Sequence, residues 1–160
     1  MKKEDIYTLL KEKGIWYEIT EHGEVFTMDD LKKIELPYPD RDAKNVFLRD
    51  EKKKNYYLIT IIGDKRLDIK KFQNDFETKR LSFVSENDLM KHLGLIPGSV
   101  SPFGLLNDED VIVKFFIDKD FINGIIGVHP NDNTATVWLN TKDLINIIKE
   151  HGNSVSEISI

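Results

Sequence analysis

The chain has 160 residues, with 23 Lys and Arg against 28 Asp and Glu, a formal net charge of -5 at pH 7, and no cysteine. Such a length suits one domain spanning 1–160, able to bury roughly two-thirds of its unfolded surface without staples, and the missing thiols exclude cysteine nucleophiles, disulfides and thiolate metal sites. The acidic average argues against indiscriminate DNA or RNA coating, so any nucleic-acid contact has to rest on a local basic patch.

In chain order, "MKKEDIYTLLKEKG" places acids and lysines where a signal peptide needs an apolar core. No apolar run approaches the roughly 20 residues of a membrane span, so a soluble, cytoplasmic protein without a membrane partner is expected. Ile6, Leu9 and Leu10 are spaced for an amphipathic helix that stops at Gly14. "IWYEIT" reads as a strand, and "TMDDLKKIEL" as a helix with Thr27 as N-cap, acids in its first turn and an end before Pro37. "NVFLRD" and "NYYLITIIGD" are rich in β-branched and aromatic residues and flank "EKKKN", which predicts a hairpin with a charged tip. "DIKKFQNDF" and "SENDLMKHLG" suit short helices, the second capped by Ser85 with Asp88 in the capping-box position. Three strands follow, "VIVKFFID", "GIIGVH" and "TATVWLN", and a helix "TKDLINIIKEHG" closes on Gly152. Strands linked by hairpins and interrupted by helices, without strict βαβ alternation, predict an α+β fold: a mixed, mostly antiparallel sheet flanked by helices.

The familiar catalytic motifs are absent: no GxGxxG, Walker A or HExxH, and Ser99 and Ser101 of "GSVSPFG" lack the paired glycines of a serine-hydrolase elbow. His22, His92, His129 and His151 are scattered, which disfavours a metal site. Three stretches remain. "AKNVFLRD" puts Lys44 and Asn45 at the start of a strand, where the ammonium either enters a cleft or snorkels to the surface. "GLIPGSVSPFGLLND" is either a ligand-facing loop with free backbone N–H groups or an ordinary Gly/Pro turn. "GIIGVHPNDNTATVWL" carries His129 at a strand end, before a rigid polar turn.

In this order and at this spacing, "AKNVFLRDEKKKNYYL", "GLIPGSVSPFGLLND" and "GVHPNDNTATVWL" resemble the YbaK/ProX family of aminoacyl-tRNA deacylases. The likeness is greatest to stand-alone ProX-type proteins that clear alanine from mischarged prolyl-tRNA. It runs from the first helix to "NTKDLINIIKEHG" and implies that family's editing-domain fold, with no cofactor and no metal. Its implied partners are the acceptor end of mischarged tRNA and prolyl-tRNA synthetase. The family's essential lysine falls on Lys44 and its adjoining asparagine on Asn45. The Gly-Ser loop falls on Gly98, Ser99 and Ser101, and the strand-end Gly-x-His on Gly127 and His129. Met28, Phe47 and Ile19 are assigned to the pocket walls.

A synthetase pocket shaped for proline rejects alanine weakly, since a missing methylene is worth only about 1 to 3 kcal/mol, and a second hydrolytic pocket supplies the discrimination. The ester is activated, so positioned water and charge stabilisation suffice without a covalent nucleophile. In that scheme Lys44 anchors the terminal phosphate or ester oxygen and Asn45 orients the aminoacyl group. The glycine-loop amides hold the carbonyl side, and His129 positions the ribose or water, with the ribose 2'-hydroxyl helping to activate it. Lys52, Lys53 and Lys54, extended by Lys32, Lys33, Lys70 and Lys71, form either a tRNA-contacting patch or a solvated hairpin end. Cysteinyl or other aminoacyl esters, and a non-catalytic module binding aminoacyl-tRNA or synthetase, are the alternatives.

Overall fold

The computed structural model describes the backbone of residues 1–160 and the side chains other than those of Met28 and Leu31. Its centre is the expected hairpin: β2 (Ala43–Asp50) and β3 (Tyr56–Ile62; β1 lies in the second sheet, below), antiparallel from Ala43 opposite Ile62 to Arg49 opposite Tyr56. The buried Asp50 carboxylate closes the tip by accepting from the N–H of Lys54 at 2.8 Å and from the Asn55 side-chain amide at 2.7 Å. A short β4 (Leu81–Phe83) pairs with the outer side of β2. On the other side, β5 (Val113–Asp118) and β8 (Val155–Ile158) add parallel strands, giving the order β4-β2-β3-β5-β8. The second sheet is antiparallel, β1 (Tyr17–Glu21), β7 (Ala135–Asn140) and β6 (Ile125–Val128) in the order β1-β7-β6. The α+β class therefore holds, with the strands divided between two sheets. β4 and β8 lie outside the expected elements: both are short, and neither has the adjacent β-branched pair that marks the equally short β6.

Both faces of the five-stranded sheet are covered, which is why β3 is apolar almost throughout. One face packs Phe47, Leu58, Phe115 and Ile117 against α1 (Lys3–Glu12), α4 (Glu86–Leu93), α5 (Thr141–His151) and the second sheet. The other packs Val46, Leu48, Ile59 and Ile61 around Phe72 of α3 (Ile69–Asp75). The caps follow the local chemistry: Ser85 Oγ accepts from the Asp88 N–H at 3.2 Å, and Thr27 Oγ1 from the Asp30 N–H at 3.1 Å. The helix expected to run on from Thr27 to Leu36 is, however, a single turn, α2 (Met28–Lys32). Pro37 and Pro39 keep only Leu36 and Tyr38 out of helical geometry, and the helix ends four residues before Leu36, at Lys32.

Where the chain enters β2 it also joins the two sheets. Asp42 bridges to Gly127 of β6, and the Gly127 N–H donates to the Arg41 carbonyl at 2.8 Å. The Arg41 guanidinium donates to three carbonyls, those of Ile125 at 2.7 Å, Asp120 at 3.0 Å and Phe121 at 3.2 Å. A Cβ on Gly127 would lie 2.4 Å from the ring of the fully buried Trp138, so the close approach requires glycine. Gly127→Ala is therefore expected to lower stability by about 1 to 3 kcal/mol, read as a lower urea midpoint; an unchanged midpoint would show that this packing yields freely.

Candidate active site

A cavity of about 260 Å³ opens at the start of β2. Four segments line it: Val25, Phe26 and Thr27 after β1; Ala43, Lys44 and Asn45; Gly98 and Val100; and His129 after β6. They meet because Val25, itself buried, donates its N–H to the Asn133 carbonyl at 3.1 Å, which folds the segment after β1 across the loop that contains Gly98. That loop admits the crossing only with glycine. Gly98 has φ +90°, and a Cβ there would lie 3.0 Å from the Phe26 ring and 3.1 Å from the Val25 carbonyl.

Lys44 is half-buried, contributes to the lining, and has no ion pair among the described residues. A cation partly removed from water and not answered by a carboxylate favours an anion or a developing negative charge beside it.

Asn45 adjoins Lys44 but is already engaged. Its Oδ1 accepts from Thr60 Oγ1 at 2.5 Å and its Nδ2 donates to the Val100 carbonyl at 3.2 Å. The side chain thus ties the glycine loop to β2. The two serines also serve the loop rather than the cavity lining. Ser99 is buried, with its Oγ donating to the Ile96 carbonyl at 2.8 Å, and the buried Ser101 caps the 3-10 turn Pro102–Asn107 by accepting from the Phe103 N–H at 3.2 Å. The backbone N–H groups of Gly98 and Val100, two residues of the cavity lining, find no protein acceptor among the described residues.

His129 is half-buried, with Nδ1 2.9 Å from the Ala135 carbonyl. A carbonyl only accepts, so Nδ1 carries the hydrogen and the neutral ring keeps a free lone pair on Nε2. Burial holds the imidazole below its ordinary value of 6.5; the Ala135 hydrogen bond opposes that shift, and His22, its ring centroid 6.1 Å away, adds to it. His129 is therefore the neutral hydrogen-bond acceptor of the site.

Other expected site residues fall elsewhere. Phe47 is buried in the core with its ring centroid 5.9 Å from that of Tyr56, because its position on β2 faces the large core. Ile19 lies on β1 opposite Val137, 39% exposed and off the cavity lining. Gly127 serves the seam between the sheets, and the Met28 side chain lies outside the described residues. Lys52, Lys53 and Lys54 are exposed at the far end of the hairpin, with Lys53 Nζ 3.1 Å from Asp88. At about 3.3 Å per strand residue, Lys52 is up to roughly 26 Å from Lys44. Sequence reasoning missed Val25, Phe26, Thr27, Ala43 and Val100 as walls, and Arg41 as the residue that fixes the start of β2. None carries a local signal, because their roles arise from contacts between distant segments.

The family described as the aminoacyl-tRNA editing domain matches residues 22–147. The prolyl-tRNA editing protein ProX of Acetoanaerobium sticklandii is 40% identical over 159 residues, covering 99% of this chain and 97% of that protein. The prolyl-tRNA synthetase associated domain-containing protein 1 of Mus musculus is 32% identical over 140 residues, 84% of this chain and 82% of that protein. A crystal structure described as a candidate trans-editing enzyme for prolyl-tRNA synthetase superposes with a TM-score of 0.72 at 16% identity, over 99% of this chain and 96% of its own, which shows the shared fold.

Two outcomes follow from this geometry. The depressed His129 value means that the unfolded chain binds more protons just below pH 6.5, so the stability contributed by the neutral ring is full above 6.5 and is lost as pH falls through the folded value. The urea midpoint of the wild type should fall more between about pH 7.5 and about pH 5 than that of His129→Asn, whose amide does not titrate; equal falls would refute the role of burial. Replacing Lys52, Lys53 and Lys54 together by Gln should leave hydrolysis of a short aminoacylated acceptor-end RNA unchanged, because the hairpin tip is out of its reach. A large loss would mean that the tip reaches the terminal nucleotides.

Proposed function

The chain belongs to the aminoacyl-tRNA editing domain family and is accordingly a deacylase, and from that premise we propose that it is a free-standing editing enzyme acting on alanyl-tRNA(Pro). In this reading it works in the cytoplasm, on tRNA that prolyl-tRNA synthetase has mischarged. The observation that carries the proposal is Lys44: a half-buried ammonium without an acid partner among the described residues, sharing one cavity with a neutral imidazole and a glycine loop.

The reaction is hydrolysis of the ester joining alanine to the terminal ribose. Water adds to the carbonyl carbon, negative charge develops on the carbonyl oxygen, and the ribose oxygen departs with a proton. Lys44 offsets the developing charge, with the N–H groups of Gly98 and Val100 as further donors on the carbonyl side. His129 Nε2 accepts a hydrogen bond from the attacking water or from the neighbouring ribose hydroxyl, which orients the nucleophile. Asn45 acts through the loop: bonded to Thr60 and Val100, it keeps the glycine amides at a fixed distance from Lys44. Water positioned among preorganised charges needs no covalent nucleophile, consistent with a chain that lacks cysteine.

Selection is by size. The cavity, about 260 Å³, lies below the roughly 300 to 1,000 Å³ of sites that enclose drug-sized ligands, and it has to take the ester and part of the ribose as well as the amino acid. In this reading Val25, Ala43 and Val100 form the walls that accept alanine and reject the larger proline ring by overlap. Steric rejection discriminates more sharply than a lost contact does.

Lys44→Ala should lower the rate of alanyl-tRNA(Pro) hydrolysis on the order of 100-fold to 1000-fold, as loss of a preorganised charge-stabilising donor does, without moving the urea midpoint. A variant that retains most of the wild-type rate would remove Lys44 from the mechanism.

A further inference from the structure

We propose that Phe26 is a stacking platform for the terminal adenine of the acceptor end, a role that rests on the tRNA-editing reading above. Phe26 lines the cavity yet is 57% exposed, more open than any other described aromatic residue except Phe83. Exposed apolar side chains are common when scattered singly. This one is held in place on both sides. The N–H of Val25 is bonded to Asn133 at 3.1 Å, and the Phe26 N–H donates to Asp30 Oδ2 at 3.2 Å. The ring lies against Gly98, where a Cβ would come within 3.0 Å of its Cδ1. The same loop presents two further exposed apolar residues, Ile96 at 51% and Pro97, next in the chain to the cavity-lining Gly98.

The substrate has a part that needs such a surface. On the editing reading a cavity of about 260 Å³ that takes the aminoacyl ester and part of the ribose leaves the purine at its mouth, with Lys44 and His129 toward the ester. Single-stranded ends are recognised largely by stacking unpaired bases on aromatic side chains, and an adenine presents a broad π face. On this account Phe26 adds affinity and sets the depth to which the ester enters.

The test uses an uncharged RNA hairpin with a single-stranded CCA end and a second that is identical but abasic at its last position, with binding read by fluorescence anisotropy. The wild type should bind the adenine-ended RNA about 10-fold more tightly than the abasic one, in line with the loss on removing one stacked base. Phe26→Ala and Phe26→Leu should abolish that preference, and Phe26→Trp should retain it. A wild type without preference overturns the proposal whether or not the variants fold, as does a preference that survives in Phe26→Leu, which would make the site merely apolar. Hydrolysis of alanyl-tRNA(Pro), measured in parallel, separates this idea from its premise. Hydrolysis without adenine preference defeats the platform alone, and adenine preference without hydrolysis defeats the editing reading while supporting the platform.

Discussion

At the entry to β2 the Arg41 guanidinium spends its donors on the carbonyls of Ile125, Asp120 and Phe121, and the Arg41 carbonyl takes the N–H of Gly127. These charge-assisted bonds fix the place where the two sheets meet, and Lys44 stands three residues further along the chain. A lysine on a mobile surface turn would spread its charge over a wide solvated volume. Here its backbone belongs to a strand paired with β3 from Ala43 onward, so the ammonium starts from a rigid base beside the cavity. The glycine at 127 is part of the same constraint, because any side chain would strike the ring of Trp138, its partner on β7, at the residue whose N–H is bonded to Arg41.

From that seam the site is assembled by contacts between segments far apart in sequence. Asn45 ties the glycine loop to β2 through Val100, and Gly98 lets the segment at Val25 and Phe26 cross over it. His129, bonded to Ala135, arrives from the second sheet with a defined tautomer. Each link leaves a polar group without a partner among the described residues: the Lys44 ammonium, the N–H groups of Gly98 and Val100, and His129 Nε2. The polar groups that are spent, such as the Asn45 amide and the Ser99 and Ser101 hydroxyls, hold the frame. The division suits an enzyme that stabilises charge and positions water, since preorganised groups lose little on meeting the transition state.

Much of this frame was legible in the sequence wherever its cause is local. Thr27 and Ser85 cap the turns expected of them, because an N-cap depends on a bond to an N–H three residues away. The hairpin around Lys52 to Lys54 and the closing helix were plain from β-branched runs and from helical spacing. Lys44, Asn45, Gly98 and His129 were singled out by resemblance to a family and do line one cavity. Composition alone left Lys44 undecided between cleft and surface. The failures share one physical origin. Nothing in "GEVFT" says that its phenylalanine will stay exposed across a glycine 72 positions on, and nothing around Phe47 distinguishes a core face from a pocket wall before the sheet's packing is known. Ser99 and Ser101 sit in the right loop, but their hydroxyls answer turn geometry that only the folded chain defines.

Selective hydrolysis of a small aminoacyl ester by this cavity is the property on which the proposed function rests. The most direct measurement charges one tRNA(Pro) preparation with alanine and another with proline, and follows loss of each ester with the purified protein, with cysteinyl-tRNA as a third substrate. Rapid loss of alanine, with prolyl-tRNA(Pro) decaying no faster than in buffer, is the predicted result. Hydrolysis of the prolyl ester at a comparable rate, or stability of all three esters, would contradict it.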